Sequence, residues 1–377
     1  MSTIHVTDCF LPRLGGIEVQ VAGLAEAQRR TGERVHVVTA TRHAEPLPGC
    51  TLHRITARLP GDPPVHPRAG AHLDRLLADV RPDVVYAHVG AISPFAWSGI
   101  RSALRLGLPT VAIVHSMWDP AVRRAYRCLD RWHGWSRAPL VLGAVSRAAA
   151  ERVRAALPGV DVAVVPNGIT PELWQGIPEQ RPDDAVHVVS VGRLAPRKQP
   201  MHLLAVLREV RERVGELRAT IAGAGPELPA MRRYLRRHGM DWVHLPGRLD
   251  RAGVGRLLAG ADVFVNPTPA EAFGLAALEA RTAGVPVVAR PGTGVADFVR
   301  HGVEGLLSDD LADAVARLAG DRAERGRIAR HNRATVPPCT WPRVLEALGA
   351  CRERAERAAR AGRRRGPGVL RNLPAEG

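Results

Sequence analysis

Apolar residues in this chain fall in short blocks, separated by longer stretches in which they recur every third or fourth position. The first block, residues 3–9, predicts a β-strand. After a loop containing Gly15-Gly16, the residues Ile17, Val21, Leu24 and Gln28 lie at helical spacing, with Ala22 and Ala25 beside them. Gly32 stops that helix and residues 34–39 form the next strand. Strand-like blocks follow at 83–87, 110–114, 140–145 and 162–165, with helical patterns between them, for example at 71–80 and 96–106. Alternation of this kind predicts a parallel sheet with helices on both faces.

Residues 171–184 are polar and proline-bearing and break the pattern, which then restarts with strands at 186–191, 219–222, 242–245, 263–266 and 285–289. The fold class is therefore α/β, with two doubly wound Rossmann-like domains expected to face each other across a cleft. The N-terminal domain spans 1–170, a linker 171–184 and the second domain 185–340. Residues 341–360 predict a C-terminal helix packing back toward the N-terminal domain, and 361–377, with Arg363-Arg364-Arg365, a basic disordered tail. A chain of 377 residues is long enough for two cores.

Composition changes this picture in few places. No apolar run reaches the roughly 18 residues of a spanning helix. The first ten residues lack the basic and apolar regions of a signal peptide. Five scattered cysteines (Cys9, Cys50, Cys128, Cys339 and Cys351) fit reduced thiols, so the expected location is cytoplasmic, with peripheral membrane contact open. The net charge of +16 would suit nucleic acid, an anionic membrane or phosphate-rich ligands, but 52 of the 53 basic residues are arginine, which reads as a compositional bias. With 4% aromatic residues and no helix-turn-helix or zinc-finger spacing, nucleic-acid binding is set aside.

Phosphate-site chemistry follows three strands of the second domain. The first is Gly192-Arg193-Leu194 with Arg197-Lys198 and Pro200. It joins a glycine turn, bases and a helix start, and it holds the only lysine of the chain. The second, Gly223-Ala-Gly225, permits a close backbone approach but lacks the third glycine of a dinucleotide fingerprint, and a plain strand-to-helix turn reads equally well. The third runs from Asn266 to Glu271, with Phe273-Gly274 opening a helix through Leu275 and Glu279 to Ala283. Eight residues along a helix rise about 12 Å, close to the span from sugar to ribose in an extended nucleotide sugar. Two carboxylates so placed suit hydroxyls at both ends, with the amides at Gly274–Leu275 directed at a diphosphate between them.

Together with Gly15-Gly16-Ile17-Glu18, Pro166-Asn167-Gly168, Gly247-Arg248-Leu249, Gly284-Val-Pro286 and Gly302-Val-Glu-Gly305, these motifs resemble the family-four retaining glycosyltransferases of GT-B fold. The resemblance covers most of the chain. It implies that Glu271 sits against the donor sugar, Glu279 binds the ribose, and Arg193 and Lys198 grip the diphosphate. It further implies that the loop of Gly15 and Gly16 closes on that diphosphate and that the base lies near Gly247, Arg248 and Leu249. His115, at the end of the strand 110–114, matches a histidine that the family often has near the donor sugar. Two positions depart from the family pattern: Gln199 replaces the usual glycine after the lysine, and Asp297, where glutamate is more typical, receives no role.

The implied reaction is retaining transfer of a hexosyl-type sugar to a hydroxyl acceptor (lipid, glycan or secondary metabolite), with a UDP-sugar as the first donor and GDP-mannose second. No cofactor is implied. Residues 121–140, with Arg123, Arg124, Arg127, Arg131, Arg137, Trp132 and Trp135, and the basic tail are candidates for contact with an anionic surface. The alternatives are a nicotinamide-dependent oxidoreductase, disfavoured because the first β-α turn lacks Gly-x-Gly-x-x-Gly, and an epimerase or phosphorylase of the same fold. The chain contains no Asp-x-Asp, so bases and helix amides are expected to stabilise the diphosphate without a metal. Transfer in excess EDTA should match transfer in buffer; strong inhibition would contradict the metal-free expectation.

Overall fold

The computed structural model describes residues 1–13, 15–58, 60–61, 63–178 and 184–364. The chain divides into two compact units: Met1–Gly168 with the segment that begins at Trp341, and Ile169–Thr340.

The first unit contains β1 (Ser2–Thr7), α1 (Gly16–Arg30), β2 (Arg34–Thr39), β3 (Thr51–Arg54), α2 (Ala69–Val80), β4 (Val84–Val89), α3 (Pro94–Arg105), β5 (Thr110–Val114), α4 (Pro120–His133), β6 (Val141–Ala144), α5 (Arg147–Ala156) and β7 (Val162–Val164). Its strands form one parallel sheet in the order β3-β2-β1-β4-β5-β6-β7. The second unit contains β8 (Val186–Val191), α6 (Pro200–Val214), β9 (Leu217–Ala222), α7 (Leu228–Arg237), β10 (Val243–His244), α8 (Arg251–Ala259), β11 (Val263–Asn266), α9 (Leu275–Thr282), β12 (Val287–Ala289), β13 (Gly305–Leu307), α10 (Leu311–Gly320) and α11 (Arg322–Ala334). Its sheet is also parallel, in the order β10-β9-β8-β11-β12-β13. A final helix, α12 (Trp341–Arg364), belongs to the first unit and packs on α1, β4, β5 and β6.

The central strands are buried on both faces, which is why they read as continuous apolar blocks. Two strands escape the pattern. β3 lies at a sheet edge with no buried residue, and β13 is three residues long and begins with glycine. Side-chain caps start several helices: Asp119, Ser146, Asp250, Asp310 and Asp321 each accept a hydrogen bond from the backbone N–H three residues on. Asp8, just past β1, accepts from the backbone N–H groups of Phe95 and Ala96 at the start of α3. Burial raises its carboxyl to about 6 despite these bonds.

α12 runs to Arg364 and does not stop at 360. Its buried stripe of Val344, Leu348, Cys351, Ala355 and Ala359 keeps helical spacing, and Gly362 lies against Pro139, so packing carries the helix onward. Of the expected tail, 365–377 lie outside the described residues, as do 179–183 of the expected linker. No helix among the described residues is long and apolar enough to cross a membrane.

The chain passes between the units at two adjacent places. Ile169 donates its backbone N–H to Cys339 O at 2.9 Å and bridges to Thr340. On the other side of the boundary the Trp341 ring lies on Gly23 and Gly168; a Cβ at Gly168 would stand 2.3 Å from Trp341 Cε3. The Gln20 amide holds Gly168 from both sides, donating to its carbonyl at 3.0 Å and accepting from its N–H at 2.8 Å.

Gly168→Ala should therefore overpack this contact and lower stability by about 1–3 kcal/mol. In a Trp341→Ala background the same substitution should add almost nothing, because the clashing ring is gone. Urea denaturation of the four proteins of this cycle reads the coupling; additive losses would mean the glycine serves some other purpose.

Candidate active site

Neighbouring strands β8 and β11 lie at the point where the order of the second sheet reverses, and their connections diverge there. Loops at the carboxyl ends of such a pair form a crevice. The loop after β8 is tied to its neighbour: Gly192 N–H donates to Ala222 O and Leu194 N–H to Ala224 O, both at 3.0 Å. Leu194 is buried and anchors the turn, while Arg193 is exposed and has no side-chain partner among the described residues. A short turn at Pro196–Lys198 follows, Gln199 adopts a left-handed φ of 52°, and Pro200 begins α6. A glycine would take up that φ with less strain than Gln199.

The loop after β11 supplies the partner. Lys198 Nζ donates to Glu271 Oε2 at 2.5 Å, and the same oxygen accepts from Asn266 Nδ2 at 3.3 Å. Asn266 is fixed in turn by accepting from Thr268 N–H at 3.1 Å. The Glu271 carbonyl accepts from Gly294 N–H at 2.9 Å, so both backbone and side chain are held. The side chains of Lys198 and Glu271 are 25% and 14% exposed, enough enclosure to strengthen the pair while leaving a solvent-facing side.

The helix α9 begins at Leu275, with Gly274 as its cap at φ 93°, and ends at Thr282, with Ala283 just outside. No side chain caps its first turn, so the amide end of its dipole is left for an anion. Phe273 is buried against Phe298, with ring centroids 5.3 Å apart, and fixes the entry to the helix. Glu279 lies half-buried further along α9. Burial pushes its carboxyl up to about 8, with Arg251 opposing.

The glycines at 223 and 225 serve the protein's own backbone. A Cβ at Gly223 would stand 1.8 Å from Gly192 O, and one at Gly225 would stand 2.2 Å from Leu194 O. Gly223 N–H also donates to Gly247 O at 2.7 Å, which ties a third loop to the first two. Gly247 has a φ of 80°; beyond it Arg248 is exposed, Leu249 is half-buried and Asp250 caps α8.

Three expected site residues belong to the first unit. Gly15 is the cap of α1, where a Cβ would stand 2.4 Å from Glu18 Oε2, and Gly16 is the exposed first residue of that helix. His115 follows β5, with Nε2 2.9 Å from His88 Nδ1, and burial lowers it to about 4. In the basic stretch 121–140 Tyr126 and Trp135 are buried and Tyr126 stacks on Trp118 with centroids 3.8 Å apart, while the side chain of Trp132 lies outside the described residues. The arginines Arg124, Arg127 and Arg131 are exposed, although Arg127 also donates to Ala155 O at 2.8 Å. Tyr126 and Trp135 thus do not share an outward face with these arginines, because their rings complete the core beneath α4.

Sequence reasoning passed over Asn266, Arg251 and His88 as site residues. Asn266 and His88 share one signal, a polar residue near the end of an otherwise apolar parallel strand. Arg251 carries none, since in an arginine-rich chain one more base on a helix is unremarkable.

Comparison with known proteins bears on this arrangement. Residues 185–321 match the family described as glycosyl transferases group 1, and residues 14–173 match glycosyltransferase family 4. A GDP-mannose-dependent alpha-mannosyltransferase of Mycolicibacterium smegmatis is 31% identical, over 92% of this chain and 96% of its own. The chain belongs to glycosyltransferase family 4. Another relative, at 28% identity over 84% of this chain and 89% of its own, is a GDP-mannose-dependent alpha-(1-6)-phosphatidylinositol monomannoside mannosyltransferase of Mycobacterium tuberculosis. Among solved structures, Anabaena HepE in complex with UDP and glucose superposes with a TM-score of 0.71 at 18% identity, covering 93% of this chain and 98% of that one. Sucrose-phosphate synthase from Thermosynechococcus elongatus gives 0.72 at 17%, covering 96% and 98%. These superpositions show that the family-four enzyme has the GT-B fold. It is a retaining glycosyltransferase that uses a nucleotide-sugar donor.

The raised Glu279 carboxyl has a consequence for the free transferase. Between about 4.5 and 8 the native state keeps a proton that the unfolded chain releases, so folding weakens as pH rises through that window. Glu279→Gln should flatten this decline when apparent stability is followed from pH 4.5 to 8.5. An identical decline in the variant would mean that Glu279 titrates normally.

Proposed function

We propose that this enzyme transfers an α-mannosyl group from GDP-mannose to an acceptor hydroxyl, with retention. The contact that carries the reading is Lys198 Nζ to Glu271 Oε2 at 2.5 Å, beside the uncapped start of α9. Arg193 and Lys198 supply positive charge for the diphosphate, and the amides at Gly274–Leu275 add the helix dipole. Glu271 receives sugar hydroxyls, Glu279 the ribose, and the Gly247–Leu249 loop the base. The names of the two mannosyltransferase relatives move GDP-mannose ahead of a UDP-sugar as donor.

In the reaction the bond from the anomeric carbon to the diphosphate breaks and a bond to the acceptor oxygen forms. The acceptor's proton passes to the departing phosphate, and GDP leaves. Glu271 acts by positioning and not as a covalent nucleophile, the role the family resemblance implies, and in the free enzyme Lys198 and Asn266 orient its carboxylate through Oε2. Cation and amide bonds to a carboxylate oxygen lower its electron density and fix its direction. Arriving phosphate oxygens compete for Lys198, so donor binding would loosen the ion pair and free Glu271 for sugar hydroxyls.

Incubation with GDP-mannose, UDP-glucose or ADP-glucose, without acceptor, tests the donor assignment through slow sugar release and thermal shift. GDP-mannose should give the largest response, and Lys198→Met or Glu271→Gln should each cut turnover by about 10²–10³-fold. A response to UDP-glucose alone would overturn the donor assignment, and unchanged turnover in both variants the site assignment.

A further inference from the structure

Three imidazoles form an unbroken chain across the first sheet, on the adjacent strands β1 and β4 and at the end of β5. His5 Nε2 lies 2.7 Å from Gln28 Oε1, His5 Nδ1 lies 3.0 Å from His88 Nε2, and His88 Nδ1 lies 2.9 Å from His115 Nε2. His5 and His88 are buried, and their rings stack with centroids 5.3 Å apart. Burial lowers His5 and His115 to about 4 and His88 well below its usual value, so all three are neutral near pH 7.

A neutral imidazole has one donor and one acceptor nitrogen, so each hydrogen bond in such a chain fixes the next. The direction is set at the far end. Gln28 Nε2 donates to Glu33 Oε2 at 3.2 Å, and Thr3 Oγ1 donates to the same oxygen at 2.5 Å. Reversing the Gln28 amide would set its oxygen against a carboxylate, so Oε1 must face His5. Hence His5 donates from Nε2 and accepts at Nδ1, His88 does the same, and His115 donates from Nε2. The remaining nitrogen, His115 Nδ1, bonds to no described residue and is not sealed from solvent.

We propose that His88, His5 and Gln28 are positioning residues that lock His115 as the Nε2–H tautomer, leaving Nδ1 as a bare acceptor that receives a substrate hydroxyl at the end of β5. The chain holds a tautomer and does not conduct protons, because it ends on an amide oxygen, which takes up no proton near neutral pH. Being neutral, His115 selects for a hydrogen-bond donor and gives no charge to a phosphate. The substrate part of this inference rests on the glycosyl-transfer reading; the tautomer part does not.

Long-range 1H–15N correlation on the full chain labelled with 15N-histidine, at pH 7, tests the lock directly. All three histidines should show protonated Nε2 and unprotonated Nδ1; a proton on His115 Nδ1, or a charged ring, overturns the proposal. Gln28→Met removes the terminal acceptor and should mix the His115 tautomers and lower kcat/KM about tenfold, an effect of about 1.4 kcal/mol. The exchange Gln28→Glu with Glu33→Gln keeps an acceptor toward His5 and moves the amide donor of the 28–33 bond to position 33, and should restore both the spectrum and the rate. Loss of acceptor-free donor hydrolysis in Gln28→Met assigns the hydroxyl to the donor sugar, and loss of transfer alone assigns it to the acceptor. Normal activity with a scrambled tautomer overturns the positioning role. If the wild-type chain turns over no nucleotide sugar, the functional reading fails while the spectrum still decides the lock.

Discussion

Each sheet contains one pair of neighbouring strands whose connections leave in opposite directions, β1 with β4 and β8 with β11, and the chemistry of the molecule depends on those two pairs. Parallel pairing buries both strands along their length, so no functional group fits in mid-sheet without a partner. At the carboxyl ends the chain is released from the ladder, and at these pairs no crossover helix fills the space above. Lys198 and Glu271 meet because their loops leave β8 and β11 at that point, although 73 positions separate them in sequence. Asp8, at the corresponding end of β1, caps α3 there with its buried carboxylate.

Much of this was legible from residue order alone. The repeated block of apolar residues followed by helical spacing can be satisfied only by a parallel sheet with helices over both faces. Four strands, at 34–39, 110–114, 186–191 and 263–266, keep the bounds that the apolar blocks imply. β3 and β13 were not legible because an edge strand with one wet face, or one of three residues, leaves too little apolar signal. For the site, a motif shows that a residue type stands after a strand but not what it touches. Gly223 and Gly225 read as a ligand cradle or a plain turn, and their neighbours are the carbonyls of Gly192 and Leu194. The histidine chain was invisible for another reason: its members come from three separate strand blocks, and only the register of β1, β4 and β5 places them side by side.

The two units solve the placement of polar groups differently. In the second, a cation and a carboxylate meet at a partly enclosed surface, Lys198 with Glu271, where an arriving anion can compete for the cation. In the first, groups that could carry charge are kept neutral by burial and linked in series, so the information they hold is the direction of a hydrogen bond. A charged pair responds to salt and to phosphate, whereas a chain of neutral rings responds mainly to geometry.

That the chain has a single lysine gives Lys198 a second significance. Every other basic side chain is arginine, whose guanidinium stays protonated and resists acylation. Apart from the terminal amine, an amine-directed acylating reagent therefore has one side-chain target in the whole molecule. That target is bonded to Glu271 in the loop after β8. With Lys198 on the donor diphosphate, as proposed, occupancy of the donor pocket would alter the reactivity of one nitrogen, and the enzyme would carry a built-in chemical reporter of its own ligand state.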